Sequence, residues 1–127
     1  MDRRSRLVVG LSVVALLSGA LLASAASAHA HTFKTNLTIH YDKKTDTFDG
    51  HAGTASACQE GRTVHVFKSS GGGNVPVGSA TTVHAGHWNG VHSAGPGSYF
   101  ATVDQSTAGG YGGDTTCLSG TSKTTTV

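Results

Sequence analysis

After residue 30 the sequence predicts an all-β domain, an antiparallel β-sandwich of about seven short strands with one disulfide. Three observations predict it. Apolar and polar residues alternate in short runs, most clearly in Thr63-Val64-His65-Val66-Phe67, where Val64 and Val66 share one face and Thr63, His65 and Phe67 the other. Polar and Gly-rich turns follow one another closely, and no segment carries a helical period. The chain also holds two cysteines, Cys58 and Cys117, far apart in sequence.

Residues 1–30 are set apart as a secretory signal peptide. Arg3, Arg4 and Arg6 give a basic start, residues 7–22 an apolar stretch, and residues 23–30 a run of small side chains. Two A-x-A sites predict cleavage after Ala28 or after Ala30, leaving 31–127 as a single domain. A retained membrane anchor over residues 7–28 is the weaker alternative, because the segment is rich in Ala, Ser and Gly. The expected location is therefore secreted or envelope-associated, with no stable membrane insertion after cleavage.

The domain is poor in bulky apolar residues, and small exported domains of this kind often add a covalent staple. An intrachain Cys58–Cys117 bond fits that need and would stabilise by roughly 4 kcal/mol on the chain-entropy model. Free or intermolecular thiols are the alternative.

Along the chain, Thr32 to Tyr41 reads as the first strand, with Phe33, Thr35, Leu37, Ile39 and Tyr41 on one face. A polar turn at residues 42–46 leads to a second strand over Thr47 to Ala57, with Phe48, Gly50, Ala52 and Thr54 on one face and a bulge or close packing near Gly50 and Gly53. The Thr63 strand is third. Residues 69–74 read as a flexible loop; Val75-Pro76-Val77 after them cannot open a helix, which argues against a phosphate cradle. Val77 to Val83 and His87 to Val91 read as a hairpin about Ala85-Gly86, which would set His84 opposite His87. Ser98 to Val103 is the sixth strand, with Tyr99, Ala101 and Val103 on one face, and Ser119 to Val127 a Thr-rich last strand. The disulfide would then join the end of the second strand to the start of the last.

The residues Val77-Gly78-Ser79-Ala80-Thr81-Thr82, Gly86-His87-Trp88 and Pro96-Gly97-Ser98-Tyr99-Phe100-Ala101 resemble the prealbumin-like bacterial modules: transthyretin-like, carboxypeptidase-regulatory-like and collagen-adhesin B-type. The matching positions are Thr82, Gly86, Trp88, Gly97 and Tyr99, within about residues 48–103. The resemblance implies an immunoglobulin-like sandwich serving as a stalk, accessory or adhesive module, with Trp88 and Tyr99 in its core. It carries over no catalytic residue, and the cysteine pair is not part of it.

Losing the leader removes Arg3, Arg4, Arg6 and Asp2, so the formal charge of +2 falls to near zero. No basic stripe remains to neutralise phosphates, so nucleic acid is not an expected partner. Histidine is the unusual feature, with eight in the chain. Neutral imidazole binds metals, and His84 with His87 could offer two nitrogens to zinc or copper. A first residue His29 or His31 would add the amino-terminal nitrogen and imidazole of a copper brace like that of the polysaccharide monooxygenases. Against this, exposed histidines on a low-charge surface need no metal, and their protonation below about pH 6.5 would turn the module cationic. No Gly-x-Ser-x-Gly or His-Glu-x-x-His motif appears, and the carboxylates lie in or beside turns, so neither an enzyme nor a cofactor is expected. Of the aromatics that could meet a sugar (Trp88, Tyr99, Phe100 and Tyr111), Tyr111 in its glycine run is the expected surface contact. The expected partner is an extracellular or cell-surface ligand.

Overall fold

The structure, a computed structural model, describes residues 30–110 and 113–127. The predicted leader up to His29, and Tyr111, lie outside the described residues. Where they are described, the chain is all-β apart from two three-residue 3-10 turns, Ser56–Cys58 and His84–Gly86. No helix among the described residues is long and apolar enough to cross a membrane.

The strands are shorter and more numerous than the seven predicted. The single run over Thr32 to Tyr41 is broken into β1 (His31–Phe33), β2 (Asn36–Leu37) and β3 (His40–Asp42). Its alternation nevertheless holds: Thr35 and Leu37 are buried, Phe33, Ile39 and Tyr41 half-buried, and the intervening side chains exposed. Threonines interrupt the ladder. The Thr38 hydroxyl, rather than a carbonyl, accepts the N–H of His51 at 3.0 Å, and the buried Thr35 hydroxyl donates to the carbonyl of Leu118 at 2.8 Å. Both β2 and β3 pair with one side of β4 (Thr47–Gly53), and β7 (His87–His92) pairs with the other.

A second sheet runs β6 (Gly73–Thr81), β5 (Thr63–Ser70), β8 (Ser98–Val103), with β11 (Gly120–Thr121) and β12 (Thr125–Thr126) both pairing β8. The predicted loop over residues 69–74 is a tight hairpin instead. The ladder continues through Ser69↔Asn74 and Ser70↔Gly73, leaving Gly71-Gly72 as the turn. The positive φ falls on the residue after that pair, Gly73 at φ 137°, a conformation glycine adopts at no steric cost.

Third comes a small sheet of β1, β10 (Gly113–Cys117) and β9 (Ser106–Gly110). The pairings among the described strands are antiparallel, as expected, except here: β1 and β10 run parallel, with Phe33 beside Cys117. The disulfide joins Cys58 to Cys117, whose Cα atoms are 5.6 Å apart. It leaves the 3-10 turn after β4 and enters the end of β10, so two short strands still follow it.

One core serves both larger sheets. Leu37, Phe48, Ala52, Trp88 and Val91 come from β2, β4 and β7; Val64, Val66, Tyr99, Ala101 and Val103 come from β5 and β8. The Phe48 and Tyr99 rings meet across the two at 4.6 Å, tilted by 44°. In β4, β5 and β8 the apolar set is one alternate face, as a pleated backbone with one face buried requires; in β7 a register shift opposite Phe48 and Gly50 brings Trp88 and Val91, three residues apart, into the same core.

Candidate functional site

The histidines are placed differently from the expected hairpin. Val83 and His87 are bridged by the 3-10 turn His84–Gly86, with the Val83 N–H on the His87 carbonyl at 2.7 Å and the Gly86 N–H on the Val83 carbonyl at 2.9 Å. β7 then pairs β4 rather than β6. The cause is core packing: the β4 register brings Val91 opposite Phe48 and Trp88 opposite Gly50, burying both. His84 and His87 therefore flank one turn and do not face each other. The residue facing His87 is His51, with ring centroids 5.0 Å apart. Sequence reasoning does not single out His51, because cross-strand register cannot be read from local alternation.

The His51 ring is fixed from one side. Its Nε2 lies 2.6 Å from the carbonyl oxygen of Ala85. Ala85 sits in the left-handed region (φ 57°) and is followed by Gly86 at φ 83°. A Cβ on Gly86 would stand 2.5 Å from the Ala52 carbonyl, so only glycine lets this turn lie against β4.

Other histidines meet single carboxylates. His40 Nδ1 is 3.0 Å from Asp49 Oδ1, His65 Nε2 is 2.9 Å from Asp104 Oδ2, and His84 Nδ1 is 3.6 Å from Glu60 Oε1. All three pairs are exposed, where such contacts contribute little to stability. His31, in β1, stacks on Phe33 at 6.2 Å. Among the described residues no three His, Cys, Asp or Glu side chains converge as a metal site would require.

The outward face of β5 and β8 carries two half-buried aromatics. Phe67 and Phe100 are cross-strand partners, and their rings stack at 5.4 Å with 19° between planes. Beside them, His65, Phe67, Pro76, Val77, Gly78 and Ser79 line an open depression of about 390 Å³, where a register shift bulges the β5–β6 pair. Trp88 and Tyr99 are 2% and 0% exposed, core residues as the sequence implied. Phe67 is out of phase with Val64 and Val66, and that phase is the available signal for its outward position.

Arg62 is a second residue whose role local pattern does not reveal. It is 3% exposed. Its Nη1 donates to the Thr35 hydroxyl at 2.6 Å, and its Nη2 to the carbonyls of Asp104 at 2.9 Å and Leu118 at 2.8 Å. Burial lowers its pKa from the ordinary guanidinium value, and the charge of Asp104 opposes that shift. The fork thus ties the start of β5 to the chain on either side of β9–β10, next to the disulfide. No protein-family model, no curated protein and no solved structure matches this chain.

Proposed function

We propose that the chain is an exported β-sandwich module that acts by contact rather than catalysis, with a structural or ligand-binding role at a cell surface or in the extracellular medium. The observation that carries this reading is the Phe67–Phe100 stack, two large apolar rings on the outward face of a sheet whose other face already fills the core. Apolar surface kept beside a depression and rimmed by the polar His65–Asp104 pair suits a binding patch. Two sheets sharing one core support the sandwich, and buried Trp88 and Tyr99 agree with the prealbumin-like pattern. The leader pattern and the disulfide support export.

The test is retention of the exported protein on isolated cell envelopes and on a panel of insoluble polysaccharides, compared with a Phe67→Ser/Phe100→Ser variant of unchanged circular dichroism. Retention by the native protein and its loss in the variant is the expected result. Equal retention of both removes the patch. A cytosolic product with residues 1–30 still attached removes export.

A further inference from the structure

We propose that Asn89 is a site of self-modification: in the native fold its side-chain amide cyclises onto the nitrogen of Gly90, and water opens the ring to an acid. The inference does not rest on the contact reading above.

The step needs only this residue pair and water. The Gly90 nitrogen attacks Asn89 Cγ and forms a C–N bond. The side-chain nitrogen leaves as ammonia, taking the proton that the Gly90 nitrogen gives up. Water then adds to either carbonyl of the succinimide and breaks its bond to nitrogen. The product is aspartate, or isoaspartate with one extra methylene in the main chain, and nothing is oxidised or reduced. A side chain on the following residue hinders the attack, and glycine has none. Asn89-Gly90 is the one Asn-Gly pair in the sequence; Asn36 and Asn74 precede Leu37 and Val75, whose side chains shield the nitrogen.

A regular ladder would hold the chain too firmly for ring closure, and here the ladder is interrupted. The β4–β7 register passes from Phe48↔Val91 to Gly50↔Trp88, so Asn89 and Gly90 together stand against Asp49. Gly90 lies in the left-handed region at φ 85°, and nothing among the described residues comes within 4 Å of where its Cβ would be. Both residues are exposed, and they line an open depression of about 560 Å³ that admits water. The dipeptide across the bulge supplies the contrast. Asp49-Gly50 can close the same ring, but Gly50 is in register with Trp88 and is covered by its indole and by the Thr38 carbonyl. Ring closure is therefore expected at Asn89 and not at Asp49. Each conversion places a negative charge beside Asp42 and Asp49, which line the same depression.

The experiment incubates the tag-free exported protein in H₂¹⁸O at mildly alkaline pH, both folded and in urea, and follows it by isoelectric focusing and peptide mapping. The folded protein should move by one charge toward the acid side, at a rate comparable to the unfolded chain. Label should enter at residue 89, with Asn36 and Asn74 still amides. Asn89→Gln should stay at the starting band, and Asn89→Asp should focus with the aged protein. An unchanged near-ultraviolet circular dichroism spectrum checks that the incubated sample is folded. Conversion in urea but not in the folded protein would overturn the proposal, as would an unmoved band or label at Asp49 in place of residue 89.

Discussion

The indole of Trp88 lies directly over Gly50, its cross-strand partner: a Cβ at residue 50 would stand 2.7 Å from both Cε2 and Cζ2, and 2.0 Å from the Thr38 carbonyl oxygen. The ring covers the backbone where a side chain is missing, and the Thr38 carbonyl fills the remaining space. Gly50→Ala would therefore drive a methyl group into space that the Trp88 ring and the Thr38 carbonyl already fill. The expected cost is about 3 kcal/mol, at the upper end of small-to-large changes. It should appear as a fall in the urea midpoint with an unchanged m-value. Native stability in the Gly50→Ala variant would show that Trp88 does not seat there.

That contact marks where local pattern stops being informative. The faces of β4, β5 and β8 were legible, because Phe48, Val64, Val66, Tyr99 and Val103 alternate strictly and end up buried. The cysteine pairing was legible because the chain holds only two cysteines. The partner of β7 was not, because choosing β4 over β6 depends on fitting Trp88 onto Gly50, a contact between residues far apart in sequence. The same holds for His51, which looks like one more surface histidine until the register sets it opposite His87. No local signal sets Arg62 apart, and only the convergence of Thr35, Asp104 and Leu118 shows it buried.

The disulfide closes a loop of 59 residues. On the chain-entropy model its removal costs roughly 4 kcal/mol, a large share of what a domain of this size holds. Thermal melting with and without reductant should differ by on the order of 20 °C. The double variant Cys58→Ala/Cys117→Ala should melt like the reduced protein. A shift of only a degree or two would mean that the unfolded chain is already compact without the bond.

Arg62 should matter almost as much. Replacing it with Met keeps the volume but strips the donors from the Thr35 hydroxyl and two carbonyls in a buried setting. Charged hydrogen bonds contribute about 1.5–3 kcal/mol each, partly offset here because a desolvated cation no longer has to be buried. A net loss of about 2–4 kcal/mol is expected. Arg62→Lys should recover little of it, since a single ammonium cannot reproduce a planar fork reaching three acceptors. Denaturant unfolding of both variants checks this, and full rescue by lysine would show that charge alone is what the site needs.

The turn before β4 makes stability depend on pH at both ends of the scale. Asp46 accepts hydrogen bonds from Ser93 and Tyr41, and the pair of bonds lowers its pKa, with His92 adding to the effect. From the other end, the bond to Asp46 raises the Tyr41 pKa. A lowered carboxylate gives stability that is complete above its unfolded value and is lost as pH falls through the folded one, here below about pH 4. A raised phenol gives stability that is complete below its unfolded value and is lost as pH rises through the folded one, here above about pH 10. Tyr41→Phe should therefore flatten both limbs of a plot of urea midpoint against pH. Ser93→Ala should flatten only the acid limb, because the Ser93 bond lowers the Asp46 value and also lowers that of Tyr41, so removing it leaves the phenol more strongly raised. Carboxyl ¹³C titration of Asp46 gives the same answer directly: its midpoint should move upward in both variants. An unmoved midpoint in Ser93→Ala would mean that the hydroxyl does not bind the carboxylate in solution.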